Sequence, residues 1–123
     1  MLGNAKLAAF VSARDRATAK KFYGDTLGLT LVHEDDYAAV FDCNGTTLRV
    51  SLVKDLVPQN FTVLGWNVAN IETTAQAMIA KGITFERVRG LEQDALGIWS
   101  PVPGVKVAWF KDPDGNWLSI AQH

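Results

Sequence analysis

The fold is decided by the segment Ala108-Trp109-Phe110-Lys111-Asp112-Pro113-Asp114-Gly115-Asn116-Trp117-Leu118-Ser119-Ile120, which has a counterpart earlier in the chain. Apolar runs flank a turn rich in Asp, Gly and Asn, and this pattern predicts a β-hairpin. In the earlier copy, Ala39-Val40-Phe41 leads through Asn44-Gly45 to an alternating run that holds Leu48, Val50 and Leu52. The two hairpins therefore indicate a repeated module.

Each hairpin is preceded by an apolar run and a helical pattern. Leu7–Ala13 runs into Asp15, and the helix that follows ends near Gly28. Phe61–Val68 runs into Asn70, whose helix ends at Gly82. Asp and Asn are favoured N-caps because their side chains accept from free amides of the first turn. Two copies are too few to stack as a solenoid, so we expect two β-α-β-β-β modules to close one domain.

The remaining boundaries follow from turn residues and periodicity. The further predicted strands are Leu29–His33, Tyr37–Asp42, Thr46–Val53, Ile83–Val88, Val105–Lys111 and Trp117–Ala121. Gly90–Gly104 is predicted to be a long loop that contains Trp99. Residues 1–53 form module one, 54–60 a linker and 61–123 module two of a single α+β domain. The expected architecture is a pair of curved, mixed, mostly antiparallel sheets around a cavity, with the helices on the convex face.

Composition restricts the function classes. The chain has 123 residues, of which 48% are hydrophobic and 20% charged, as in ordinary globular proteins. A net charge of −1 gives no basic footprint for nucleic acid, and no apolar run is long enough to cross a membrane. The N-terminal stretch is expected to be a strand rather than a signal peptide. Cys43 is the single cysteine, so a reducing cytoplasm is the expected location.

Two stretches resemble a known family. Phe22-Tyr23-Gly24-Asp25-Thr26-Leu27-Gly28-Leu29 and Phe110 to Leu118 are similar to the two characteristic stretches of the vicinal oxygen chelate superfamily. This superfamily includes glyoxalase I, bleomycin-resistance proteins, fosfomycin-resistance enzymes and extradiol dioxygenases. The resemblance covers nearly the whole chain, and it implies the fold more strongly than any one activity. It also implies a homodimer, since two-module members commonly pair in this way.

The resemblance further implies where a metal would bind. Metal-using members take ligands from the first and last strands of each module. The corresponding positions here are Ala8, Arg49, Val63 and Ser119. Alanine and valine have no donor atom, arginine is a fixed cation, and a lone serine hydroxyl is a poor ligand. We therefore expect no metal and no other cofactor.

Strand alternation assigns a ligand face without reference to the family. If Arg49 and Ser119 face the cavity, the alternating aliphatic residues Leu48, Val50, Leu52, Leu118 and Ile120 face the helices. In the first strands, Ala9, Val11, Leu64 and Trp66 then also face the helices. The predicted ligand-binding residues are those that share the other face: Ala8, Phe10, Ser12, Thr47, Arg49, Ser51, Val63, Asn67, Trp117 and Ser119.

Several of these residues have alternative interpretations. Arg49 could neutralise an anionic ligand or extend into solvent along its aliphatic stem. Trp117 is predicted to be a pocket wall and Trp66 a core residue, whereas the pattern does not decide Trp99 and Trp109. Asp112 and Asp114 are predicted turn formers, and the acidic turn Glu34-Asp35-Asp36 is predicted to be solvated. Cys43 and His33 could act as nucleophile and base, but no orienting third group is evident.

Three functions from different classes remain. The first is a metal-independent small-molecule binder that holds a flat, partly apolar ligand, with a carboxylate or similar anion expected from Arg49. The second is an enzyme, namely a glyoxalase-like lyase or isomerase or a dioxygenase-like enzyme with a non-standard or absent metal site. The third is a scaffold or regulatory domain. Because the metal ligands are missing, the sequence favours the binder.

Overall fold

The computed structural model describes residues 1–123, which divide into two compact units, Met1–Val57 and Pro58–His123. The elements of unit one are a 3-10 helix (Leu2–Asn4), β1 (Ala8–Ala13), α1 (Arg16–Ala19), a π-helix (Lys20–Thr26), β2 (Thr30–Glu34), β3 (Ala38–Cys43) and β4 (Thr46–Leu52). Those of unit two are β5 (Thr62–Asn67), α2 (Ile71–Ala80), β6 (Trp99–Val102), β7 (Val105–Lys111) and β8 (Trp117–Gln122). Neither α-helix combines the length and apolar content needed to span a bilayer.

The two units repeat one sheet topology. The strand orders are β1-β4-β3-β2 and β5-β8-β7-β6. In each sheet the first strand pairs in parallel with the last strand, and the other neighbours are antiparallel. The turn between β3 and β4 has positive φ at both Asn44 (50°) and Gly45 (87°), which the two-residue hairpin turn requires. The predicted α+β fold with two repeated mixed sheets is confirmed.

The predicted helix starts are also confirmed. Thr18 donates from its amide and its hydroxyl to Asp15 Oδ2, at 2.9 and 2.6 Å. The Thr73 amide donates to Asn70 Oδ1 at 3.0 Å. The first helix differs from the uniform helix that was predicted, because a π-helix follows α1 and a Leu29 amide bond to the Tyr23 carbonyl closes it.

The third strand of unit two lies elsewhere than predicted. Ile83–Val88 is not a strand, and its backbone pairs with the sheet only through an isolated bridge between Phe85 and Phe110. The third strand of unit two is instead β6, which pairs with β7 on the side away from β8 and lies inside the segment predicted to be a loop. Gln93 explains the change, because its side chain donates to two backbone carbonyls, accepts from the Val88 amide, and so folds this segment back.

The alternation of side chains along β4 and β8 is confirmed. Leu48, Val50, Leu118 and Ile120 are at most 2% exposed, whereas the residues between them are half-buried. Further residues of this buried face are aromatic. The ring of Phe41 lies 6.2 Å from that of Tyr23 in unit one, and in unit two Phe110 contacts Phe85 and Trp66. Each sheet therefore has one buried face, which contacts the helix of its unit, and one open face.

Candidate functional site

The predicted ligand-binding residues of unit one lie on its open face. Across β1 and β4, Ala8 opposes Thr47, Phe10 opposes Arg49, and Ser12 opposes Ser51. Phe10 is 61% exposed although it is a large apolar side chain, and Arg49 and Ser51 are half-buried. The register places these six residues together as three cross-strand pairs.

Arg49 occupies the middle of this face. Its cross-strand neighbours are Phe10 on β1 and Val40 on β3, and Val40 is in turn opposite His33 on β2. Within unit one, no carboxylate lies within ion-pair distance of the guanidinium. Asp42 shares the face one pair further along β3, so the region around the cation is not uniformly positive.

The open face of unit two is dominated by tryptophan. Trp117 lies opposite Lys111, Trp109 opposite Ser119, and Trp99 opposite Val107, which is itself opposite Ala121. The rings of Trp99 and Trp109 have centroids 5.8 Å apart and planes inclined by 31°. The Trp109 indole donates from Nε1 to Thr62 Oγ1 at 3.1 Å. We call this surface, formed by Trp99, Trp109 and Trp117, the tryptophan face.

Of these tryptophans, only Trp117 is predicted from the sequence as a site residue. The sequence did contain a signal for Trp109, namely strand alternation between Ala108 and Phe110. Both of these apolar residues are buried, so alternation places Trp109 on the open face. Trp99 could not be found in this way, because its segment was interpreted as a loop. Trp66 is on the buried face, where it stacks on Phe110.

The other predicted residues of unit two surround the tryptophan face. Val63 and Asn67 are exposed on the edge strand β5, where Val63 lies at the irregularity in the pairing with β8 and Asn67 is opposite Ala121. Between them Gly65 is opposite Ser119, and a Cβ at residue 65 would lie 2.6 Å from Ser119 Oγ. The absence of a side chain at Gly65 therefore provides the space that the serine hydroxyl occupies.

The four metal-ligand positions implied by the fold do not suit a metal ion. Ala8, Arg49, Val63 and Ser119 supply a single oxygen and no carboxylate or imidazole. No group of three or more His, Cys, Asp and Glu side chains in the chain is arranged to hold a metal. Divalent metals need several oxygen, nitrogen or sulfur donors around one point, so these residues do not fit one.

The acidic turn of unit one is internally bonded rather than simply solvated. Glu34 pairs with Lys20 at 2.7 Å, and Asp35 Oδ2 lies 3.0 Å from His33 Nε2. Asp35 Oδ1 accepts from the amides of Tyr37 and Ala38. These bonds hold the pKa of Asp35 below its usual value, the Tyr37 amide having the largest effect. The turn therefore closes the β2–β3 hairpin.

His33 and Cys43 are at opposite ends of the β2–β3 pair and do not form a catalytic pair.

Unit one also contains a half-open groove of about 460 Å³ beside its π-helix. Its lining residues are Ala17, Lys20, Lys21, Gly24, Asp25, Leu29, Leu31 and Phe41, and none of them is a predicted site residue. Lys20 forms an ion pair with Glu34. The remaining charges in the lining are the positive charge of Lys21 and the negative charge of Asp25, which sum to zero. The groove therefore has no excess charge with which to select a ligand.

The chain is similar in sequence to known proteins over most of its length. The family model described as Glyoxalase/Bleomycin resistance protein/Dioxygenase superfamily matches residues 7–120. Bleomycin resistance proteins from Geobacillus stearothermophilus and Staphylococcus aureus are each 30% identical to it over 118 residues. Each match covers 82% of this chain and 83% of the relative.

Solved structures share the fold. A glyoxalase/bleomycin resistance protein/dioxygenase from Alicyclobacillus acidocaldarius superposes with a TM-score of 0.73 at 19% identity, covering 96% of this chain and 90% of that one. A fosfomycin resistance protein from Listeria monocytogenes has a TM-score of 0.75 at 10% identity, with coverage of 96% and 92%. At such low identity these similarities show the fold alone.

Proposed function

Because the chain belongs to the glyoxalase/bleomycin resistance protein/dioxygenase superfamily, we propose that it is a small-molecule binding protein that holds a flat, partly apolar ligand without a metal ion. The observation that supports this most is the tryptophan face. Three half-buried indoles on one open sheet face leave part of each ring in contact with water, and each offers a flat surface for stacking. The curated relatives named above are resistance proteins, which is compatible with binding without chemical change.

The side chains around the indoles support the same proposal. The bond from Trp109 to Thr62 orients one ring, and Trp99 lies beside it. A ring that is already oriented loses little conformational entropy when a ligand stacks on it. Polar groups at Ser119 and Asn67 are near enough along the strands to orient a bound molecule. The tryptophan face thus combines apolar area with a few polar groups.

We propose that the open face of each unit is a ligand-binding surface, made of the residues assigned from alternation and, in unit two, of the two further tryptophans as well. In unit two these are Val63, Asn67, Trp99, Trp109, Trp117 and Ser119, and in unit one they are Ala8, Phe10, Ser12, Thr47, Arg49 and Ser51. The proposal includes a homodimer, which light scattering at tens of micromolar protein would test. It also includes a cytoplasmic location, because the single Cys43 cannot form an internal disulfide.

A direct test compares tryptophans on opposite faces of one sheet. Flat aromatic compounds are screened by thermal shift, and the hits are titrated by calorimetry against wild type and single variants. Trp117→Leu and Trp109→Leu should weaken binding roughly 10-fold each, as expected for loss of a stacking partner. Trp66→Phe, which alters the buried face, should leave affinity unchanged. Equal losses in all three variants would contradict the proposal. Stoichiometric metal bound among Ala8, Arg49, Val63 and Ser119 would favour the enzyme instead.

A further inference from the structure

We propose that Lys111 is the specificity-determining residue of the tryptophan face and that it selects aromatic ligands carrying an anionic group, with aromatic carboxylates as the simplest class. The inference rests on the proposed function, since it concerns which ligand binds there. Lys111 was not among the residues predicted from the sequence.

Lys111 is held over an aromatic ring. It is the last residue of β7, directly opposite Trp117 on β8. Its Nζ lies 4.8 Å from the centroid of the Trp117 ring, within the range of a cation–π interaction. The side chain is 42% exposed, so the ammonium is accessible to a molecule lying on the face. The charge therefore lies over one ring of the tryptophan face, on the same face as Trp109.

The carboxylate within ion-pair distance of this ammonium leaves its N–H donors available. Glu86 Oε1 lies 3.9 Å from Lys111 Nζ, which is ion-pair distance but too long for a hydrogen bond. Glu86 is held in place because its amide donates to the Trp109 carbonyl at 2.8 Å. An ammonium has three N–H donors, so an incoming anion can accept from it without displacing Glu86. The other residues of the face at Thr62, Asn67, Val107 and Ser119 are uncharged.

The arrangement discriminates between ligand charges. A carboxylate beside the stacked ring gains a charge-assisted hydrogen bond from Lys111. A neutral analogue gains stacking alone. A cation that stacks on the neighbouring indoles remains near the like charge of Lys111, which is unfavourable. The expected order of affinity is therefore carboxylate, then amide, then ammonium.

Three naphthalene probes isolate this effect, because they share one ring and differ in charge: 2-naphthoate, 2-naphthamide and 2-naphthylmethylammonium. Calorimetry on the full-length wild type should show 2-naphthoate binding roughly 5- to 10-fold more tightly than the amide, a modest ratio because the ammonium is partly solvated. Lys111→Met should abolish that ratio while leaving amide affinity unchanged, since it keeps the aliphatic stem. Lys111→Arg should preserve it. Lys54→Met, which removes an exposed lysine elsewhere, should have no effect.

Glu86→Gln gives a second, opposite readout. Removing the competing carboxylate should tighten 2-naphthoate and leave 2-naphthamide unaltered. If the probes bind but Lys111→Met keeps the preference for carboxylate, the role of Lys111 is wrong and the binding function stands. If none of the three probes binds wild type, and the wider aromatic screen is also negative, both the proposed function and this inference are overturned.

Discussion

The indole Nε1 of Trp109 on β7 donates to Oγ1 of Thr62 on the edge strand β5, at 3.1 Å, and so spans the intervening strand β8. Ser119, the β8 residue opposite Trp109, is small enough to permit this crossing. The bond fixes the plane of one indole next to the ring of Trp99. A hydrogen bond thereby connects the edge strand β5 to the tryptophan face.

Thr62→Val should release the Trp109 ring. The exposed hydrogen bond contributes about 0.5–1 kcal/mol at most to the free energy of unfolding, so stability should change little. Affinity for a flat aromatic ligand should fall by roughly 2- to 5-fold because the ring must be ordered on binding. Thr62→Ser, which keeps the hydroxyl, should behave like wild type in the same calorimetric titration. An unchanged affinity in Thr62→Val would show that the ring needs no such support.

The turn between β7 and β8 depends on a buried carboxylate. Asp112 is 4% exposed, accepts from the amides of Asp114 and Asn116 through Oδ1, and accepts from Asn116 Nδ2 through Oδ2 at 2.8 Å. Asp112→Ala should lower the free energy of unfolding by about 2–4 kcal/mol, because buried donors lose their acceptor.

Asp112→Asn should lower the free energy of unfolding by less, about 1–2 kcal/mol. Its side-chain carbonyl can still accept from the amides of Asp114 and Asn116, but its NH2 group would be placed against the Asn116 Nδ2 donor. Urea denaturation measures both, with the exposed Asp55→Ala as a control expected within about 0.5 kcal/mol of wild type. Equal losses for Asp112→Ala and Asp55→Ala would contradict a structural role for this turn.

The helix caps predict different responses to acid in the two units. The side-chain hydroxyl and amide of Thr18 hold the pKa of Asp15 below its ordinary value, whereas Asn70 does not titrate. A carboxyl whose pKa is depressed by folding stabilises the protein above its unfolded pKa, and this contribution is lost as pH falls through the folded pKa. Glu34 and Glu72, which bond to Lys20 and Lys106, have depressed pKa values as well.

Stability should therefore decline on acidification below pH about 4. Asp15→Asn keeps a good N-cap, so it should match wild type at pH 7 but lose less stability on acidification. Asn70→Asp should do the reverse and increase the sensitivity to acid. Thermal unfolding followed from pH 7 to pH 3 measures both variants. Parallel curves for Asp15→Asn and wild type would count against the cap as a titrating group.

Lys111 selects acids that bind the tryptophan face of unit two, whereas Arg49 is expected to contribute to the binding of aromatic acids on the open face of unit one. Arg49→Ala should weaken them by about 10-fold, the lower end of the range for a charge-assisted bond, because Asp42 shares the face. Arg49→Lys should recover part of the loss, since a point charge cannot reproduce the planar guanidinium. Arg89→Ala is the matched control for loss of an exposed arginine. The prediction is wrong if every compound that binds is neutral or cationic, or if aromatic acids bind Arg49→Ala with the same affinity as wild type.

Much of the fold could be predicted because its signals are local and repeated. The N-caps at Asp15 and Asn70, the Asn44-Gly45 turn and the alternation along β4 and β8 each depend on a few adjacent residues. The third strand of unit two could not be found in this way. Ile83–Val88 has the composition of a strand, but the pairing with β7 is decided by side chain–backbone bonds from Gln93, which no periodicity encodes.

The same error concealed part of the candidate site. The sequence pattern predicts a loop around Trp99, so the position of this ring next to Trp109 could not be inferred. The role of Lys111 depends on the register of β7 against β8, because a shift of one residue would turn the ammonium away from Trp117. The π-helix could not be predicted because Lys20–Thr26 has 7 residues, too few for the apolar spacing to distinguish i→i+5 from i→i+4 bonding.

The tryptophan face as ligand-binding surface is tested most directly by the four indole N–H signals in a 15N–1H correlation spectrum, assigned with single Trp→Phe variants. Titration with an aromatic acid that calorimetry shows to bind should shift the signals of Trp99, Trp109 and Trp117 in proportion to occupancy. The Trp66 signal, from the buried face of the same sheet, should stay in place. Binding that shifts Trp66 alone, or none of the three open-face indoles, would contradict the account.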